Sequence, residues 1–381
     1  MPSSISSSDK AGSELPPYVR SVPRLRWRAV ALLALVLVVA AVGAWEVRMR
    51  SLGLRTVDID DGDPYWAVER RKIDAGPRDQ VAIVGDSRIL FDTSLDAWRQ
   101  TSGIQPIQLA LVGTGALPFL QDLAADKHFA GLVVVGIAEF AFFGITGNTK
   151  ALTYTHTQSP SQRVGHQIDL LLQRVFAFLD TDYALFSQIS QLRVPERPGV
   201  SGGYLSPWKI SESFADRQGT MWRRFEADAA LQRHEALVWD TDVQFFVQLQ
   251  AAHGPAFPEP VVKPVVDATL QAVEEIRGRG GEVVFVRPPS SGAFLQGERI
   301  LLPRARIWDR LLRDTHSFGI YFEDYPQMRA LQPVEQSHLS AADQKIYTRA
   351  YVSVLCQQVS WLKAHGARCA GDSPAELRNT P

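Results

Sequence analysis

The sequence predicts an α/β protein: a mostly parallel β-sheet with helices on both faces, preceded by one transmembrane helix. Three observations carry that expectation. Short apolar runs end in Gly, Pro or Asp, as buried parallel strands do. Helical stretches separate those runs, which calls for βαβ units and three α/β/α layers. An uncharged apolar run, Ala29–Trp45, stands near the N-terminus.

Composition sets the outer bounds. The chain has 381 residues, 45% hydrophobic and 21% charged, enough to bury a core as one large domain or two modest ones. Lys and Arg number 40 against 41 Asp and Glu, a net charge of −1, which argues against a nucleic-acid binder. With 27 Gly and 23 Pro, collagen-like and wholly disordered chains are excluded. Two Cys exclude a disulfide-built scaffold and a four-thiolate zinc site.

Taken in order, residues 1–19 are rich in Ser and Pro and open a disordered tail, 1–26. The anchor follows at 27–47, with Trp27 and Trp45 at its ends, where indole rings favour the membrane–water interface. Lys10, Arg20, Arg24, Arg26 and Arg28 precede it. Arg48, Arg50 and Arg55 follow it, mixed with Glu46, Asp58, Asp60, Asp61 and Asp63. The positive-inside rule places the N-terminus in the cytoplasm and the rest of the chain outside it. A cleaved signal peptide is the alternative, with Ala41-x-Gly43 and Val42-x-Ala44 as candidate cleavage sites. Residues 48–77 read as a linker. Cys356 and Cys369 fit either a bridge in an oxidising compartment or two unpaired thiols.

The α/β domain is expected over 78–370. Its strands are VAIVG (81–85), PIQLAL (106–111), GLVVVGI (131–137), EVVFVRP (282–288) and GIYFED (319–324). Helices are expected around Thr93–Gln100 and over Pro118–His128, Pro264–Arg279 and Pro303–Phe318. Between about 144 and 260 the pattern changes to amphipathic helices, Gln162–Gln191, Ser211–Ala236 and Asp242–Ala252. This is a helical insertion over the sheet's edge or a small second domain. Residues 371–381 are a polar, frayed tail.

Two motifs carry candidate chemistry. In VAIVGDSRILFD an apolar strand ends in Gly85-Asp86-Ser87, placing a Ser at the carboxyl end of a strand, where open α/β sheets form their ligand crevices. In VEQSHLSAADQ, Glu335 and His338 lie three apart before a helix capped by Ser340. A His is the usual base for a Ser nucleophile, and a carboxylate beside it holds its tautomer. Alone, each motif also fits a plain turn or a solvated loop.

Together, a strand-ending Gly-Asp-Ser near the start and an acid-x-x-His-Leu-Ser near the end resemble the SGNH (GDSL-type) hydrolase superfamily. The resemblance implies Ser87 as nucleophile, His338 as base and then acid, and Glu335, where Asp is usual, as the group that orients His338. For the family's oxyanion glycine, LALVGTGALPF offers Gly113 first and Gly115 second. The family's Gly-x-Asn-Asp block is replaced by Gly136-Ile-Ala-Glu139, so its oxyanion Asn is absent. Arg88 and Arg287 are candidates to neutralise an oxyanion or bind substrate, or are ordinary ion-pairing residues.

A single anchor, an extracytoplasmic domain and a degenerate third block look like bacterial envelope proteins that add or remove acyl groups. The resemblance implies an inner-membrane enzyme acting on O-acyl, notably acetyl, esters of an envelope polysaccharide. Its expected partners are an acylated glycan or acyl donor and a multi-span membrane acyltransferase. No cofactor, metal or nucleic acid is expected. The alternatives are a non-catalytic accessory protein of the same fold, binding glycan or the membrane partner, and a secreted esterase. Trp208, Trp222 and Trp239, with Phe225, Phe245 and Phe246, line a sugar groove or form core.

Overall fold

A computed structural model of the protein describes residues 26–144, 149–184 and 203–369, together with 186, 187, 189, 196 and 197. The tails expected over 1–19 and 371–381, and part of the Pro/Gly-rich stretch after Val194, lie outside the described residues. The chain divides into two compact units, 1–48 and 49–381.

In the first unit begins the helix Trp27–Ser51, 25 residues that are long and apolar enough to cross a membrane. Leu32, Leu33, Leu35, Leu37 and Val39 are exposed around it, so the helix is apolar on every side. It runs past the expected end of the anchor, residue 47, because the Arg-bearing segment WEVRMRS also favours helix.

The second unit is built on a five-stranded parallel sheet in the order β2-β1-β3-β6-β7. The strands are β1 (Val81–Val84), β2 (Ile107–Gln108), β3 (Leu132–Gly136), β6 (Glu282–Arg287) and β7 (Gly319–Tyr321). In register, Ile83 faces Val134 and Gln108, and Val134 faces Val284. Strands covered on both faces read as near-continuous apolar runs, which is why they were visible in the sequence. Only two residues of the expected run 106–111 pair as strand.

Each crossover between parallel strands carries helix. Leu117–Ala125 packs on Glu259–Arg277, which packs on Trp308–Thr315. Ala341–Gln358 packs on the helices Ser87–Asp92 and Leu95–Ser102. The single helix expected near Thr93 is thus two, the first starting on Ser87 itself. Gly292–Leu301 was not anticipated, and the helix expected from Pro303 begins at Trp308.

Residues 48–77, read as a linker, carry the helix Asp63–Ala75. Trp66 and Ile73 are buried in the main core, and Trp66 Nε1 donates to the Leu109 carbonyl at 2.8 Å. The charged residues between them masked the apolar face in the sequence.

The insertion also departs from expectation. Helix spans Lys150–Thr157 and Pro160–Gln173, but Ser211–Met221 is an antiparallel hairpin of β4 (Ser211–Ser213) and β5 (Gly219–Met221), not the start of a helix. Its turn is pinned by Arg217, fully buried, which pairs with Asp61 and donates to the Gln108 carbonyl at 3.1 Å. Tertiary pairing overrides the local periodicity here. The helix Ala229–His253 follows.

Cys356, in the helix Ala341–Gln358, and Cys369 form a disulfide.

Candidate active site

β1 ends in Gly85-Asp86, and Ser87 is the first residue of the next helix. Asp86 caps that helix by accepting the Arg88 N–H at 3.1 Å. Two glycines make the close approach possible. A Cβ on Gly85 or on Gly136, at the end of β3, would each lie 2.3 Å from Ile89. Ser87 therefore stands at the carboxyl ends of adjacent strands whose connections leave in opposite directions, the position at which doubly wound sheets open a crevice.

The second motif arrives from the other end of the chain. The His338 Nε2 lies 3.0 Å from Ser87 Oγ, and its Nδ1 is hydrogen-bonded to Glu335 Oε1. The other Glu335 oxygen accepts the backbone N–H groups of Ser337 and His338 at 2.8 and 2.9 Å. One carboxylate thus both shapes the loop and faces the imidazole. With Nδ1–H donating to Glu335, Nε2 is left to accept from the Ser87 hydroxyl.

Electrostatics follow from burial. Glu335 and His338 are both almost wholly buried. Burial, the largest single influence, disfavours the charge on each, but the partner's opposite charge and the hydrogen bonds to it together outweigh burial. The Glu335 pKa is lowered and the His338 pKa raised from its ordinary 6.5.

The Ser87 helix and the His338 loop are joined at several points. Asp92, at the end of the Ser87 helix, accepts the Leu339 N–H at 2.8 Å. Arg88 Nε donates to Ser337 Oγ at 3.1 Å. Burial pushes the Asp92 carboxyl up to about 8. The ring of His338 is further held edge-on by Phe91, with centroids 5.3 Å apart.

No family model matches the chain, and no curated protein matches it. The chemistry of the site therefore rests on its own geometry.

Ser87 and His338 open into a cleft of about 380 Å³. The remaining candidates are placed differently. Arg88 and Arg287 do not line the cleft but lie in a buried ion network. Arg287 Nε donates to Glu139 at 3.1 Å and Arg287 Nη2 to Glu298 at 2.6 Å, while Arg88 pairs with Glu298 at 2.7 Å. Both guanidiniums bond carboxylates, as the ion-pairing alternative has it, although Arg88 Nη1 has no partner among the described residues. Glu139, in the place of the third motif block, is held by Arg287. Neither glycine lines the cleft: Gly113 is exposed with φ of +68° beside the cleft-lining Val112, and Gly115 is buried.

Sequence reasoning missed the far wall. Lys209 Nζ, buried, is held by Asp58, Asp180 and Asp182 at 2.7, 2.9 and 3.1 Å, and all four line the cleft. The acidic run Asp58–Asp63 was its one visible signal, read only as a brake on membrane orientation. Glu235 also lines the cleft, buried, with Oε1 accepting from Ser206 and Oε2 unpartnered among the described residues. Burial pushes its carboxyl up to about 7.

Of the aromatic set, Trp208 and Trp239 line the cleft, Trp239 with its ring 6.3 Å from that of His338. Trp222 and Phe225 are core, Phe245 is exposed and Phe246 is partly buried against the core.

Proposed function

We propose that the chain is a membrane-anchored, SGNH-like enzyme that transfers or hydrolyses O-acyl esters of a cell-envelope polysaccharide through an acyl-Ser87 intermediate. The observation that carries this reading is the hydrogen-bonded series Ser87–His338–Glu335, opening into a cleft. The parallel sheet, with Ser87 after its first strand and His338 before its last long helix, supports the family assignment.

In the first half-reaction Ser87 Oγ attacks the ester carbonyl carbon while its proton passes to His338 Nε2. The carbonyl electrons move onto oxygen, then return as the alcohol leaves with the proton from His338. In the second half, His338 takes a proton from water or a sugar hydroxyl, whose oxygen attacks the acyl carbon; the bond to Ser87 Oγ then breaks and Oγ takes that proton back from His338. Glu335 stabilises the imidazolium formed in each half.

The oxyanion donors of this proposal are the backbone N–H groups of Ser87 and Gly113. The first-turn N–H of a helix has no partner within the helix, and Gly113 sits beside the cleft. Arg88 and Arg287 have no part in it. Trp208 and Trp239 would stack on sugar rings, and the unpartnered Glu235 oxygen would accept a sugar hydroxyl.

The Trp27–Ser51 helix would anchor the enzyme in the bacterial inner membrane with its N-terminus in the cytoplasm. The disulfide supports an oxidising, extracytoplasmic location for the second unit. A multi-span acyltransferase would supply the acyl donor.

One observation favours a second reading, a non-catalytic accessory protein: Glu139 stands in the third block, tied to Arg287, where the family has an oxyanion Asn. Labelling of the full chain in detergent with a serine-reactive fluorophosphonate separates the two. The expected adduct is on Ser87, absent in Ser87→Ala and lost in His338→Ala. A folded wild-type chain that takes no label would leave the accessory reading.

A further inference from the structure

The helix Pro160–Gln173 has two unlike faces. Inward, Leu170 is buried with Ile59 and Tyr65, and Gln173 Oε1 accepts the Asp60 N–H at 2.8 Å. Outward, Val164, Ile168, Leu171 and Val175 are 53–60% exposed. Their spacing of four, three and four residues puts them in one stripe, whose last member, Val175, stands two residues past the helix end. Arg163 and Arg174, both exposed, fall together on one flank of that stripe.

Such a face is costly in water and needs a cover. Its location argues for what the cover is. Arg50 donates to the Val175 carbonyl at 3.4 Å, both residues belonging to the second unit. Arg50 is in the last turn of the Trp27–Ser51 helix, five residues beyond Trp45, where the uncharged run ends. At ~1.5 Å of rise per residue, only about 8 Å of helix separates the two. The stripe thus ends where chain connectivity brings the bilayer surface closest. An aliphatic face flanked by arginines is the composition of a helix lying in a lipid interface.

We propose that the segment 160–175 lies in the interfacial layer of the bilayer crossed by Trp27–Trp45, its apolar stripe among the acyl chains and Arg163 and Arg174 at the headgroup phosphates. This rests on the Trp27–Ser51 helix being a membrane anchor, and is independent of the esterase chemistry. It makes the lipid surface a second foothold close to the cleft, since Asp60, bonded to Gln173, lines that cleft. A surface-held cleft would meet membrane-proximal substrate rather than scan free polymer.

The test uses the full chain carrying photoreactive benzoylphenylalanine at position 168 or 171, in vesicles of phosphatidylcholine and phosphatidylglycerol. A third chain carries it at Ile346, an exposed apolar position on the helix Ala341–Gln358. The expected result is lipid adducts at 168 and 171 and none at 346. Carbonate extraction of the same vesicles tests the anchor separately. A chain released by carbonate overturns the anchor and this proposal with it. A retained chain without lipid adducts at 168 and 171, or with equal labelling at 346, overturns the proposal alone. Adducts between protein chains at 168 and 171 would replace lipid by a second copy as the cover.

Discussion

Ser87 Oγ and His338 Nε2 stand 3.0 Å apart although 251 residues separate them in the chain. The contact is not left to the two side chains alone. The helix that begins with Ser87 ends with Asp92, which holds the backbone of Leu339, the neighbour of His338. The next residues continue the seam, Thr93 Oγ1 with the Tyr351 hydroxyl at 2.9 Å and the Ser94 N–H with Thr348 Oγ1 at 2.8 Å. Ser87 and His338 are thus placed by backbone and buried polar contacts, the support that a preorganised site requires.

The pH dependence of Ser87 reactivity follows from the raised His338 pKa. Only the neutral imidazole accepts the serine proton, so labelling should fall as pH drops through a midpoint above 6.5. Glu335→Gln leaves the burial penalty without the opposing charge. The midpoint should then move to lower pH, and the plateau rate should fall on the order of 10⁴-fold. Labelling rates against pH for both chains measure this, and an unmoved midpoint would contradict it.

Asp92 should make stability pH-dependent in a definite direction. Its carboxyl titrates near 8 in the folded chain and ordinarily near 3.8. Between those values the folded state holds a proton the unfolded state has lost, so stability falls as pH rises. Asp92→Asn retains the acceptor for Leu339 and has no such proton. Its melting temperature should fall less between pH 5 and pH 8 than that of the wild type, and an equal fall would refute the assignment.

The ion network beneath the site should be sensitive to removal of one member. Glu298 bonds Arg287, Arg88 and Ser290 within 2.7 Å, all buried. Glu298→Gln leaves the buried Arg88 without a carboxylate partner and Arg287 with Glu139 alone, at a cost of about 3–5 kcal/mol. Because Arg88 also holds Ser337, the variant should label more slowly at Ser87 even where it is folded. Chemical denaturation and labelling of the same preparation give both quantities.

The disulfide should contribute measurably to stability. Cys356 and Cys369 are 13 residues apart, and closing a loop of that order stabilises by about 2–4 kcal/mol. Cys369→Ser, or reduction of the wild type, should lower the denaturation midpoint accordingly. Equal midpoints with and without reductant would show that the bridge adds nothing.

Much of this was legible in advance for a local reason. A buried parallel strand is apolar residue after residue, so β1, β3 and β6 stood out, as did the uncharged run of the N-terminal helix. Gly-Asp-Ser and Glu-x-x-His were legible because strand-end turn and capped loop are each encoded within a few residues. The helix Asp63–Ala75 was not, since Glu69 and Arg70 are buried among its apolar residues. Arg70 pairs with Asp74 one turn on, but its other two partners, Asp122 and Asp126, come from a distant helix and its end, and nothing within the segment announces those.

Residue order alone, then, established an α/β chain with an apolar N-terminal helix and named the Ser, His and Glu to watch. Which charges serve the cleft had to wait for the folded chain. Arg88 and Arg287 looked available beside their strands, yet both are bound to carboxylates brought from elsewhere. Lys209 and Glu235 had no motif around them, yet both line the cleft. A side chain's role depends on its burial and on the charge opposite it, and both are properties of contacts between segments far apart in sequence.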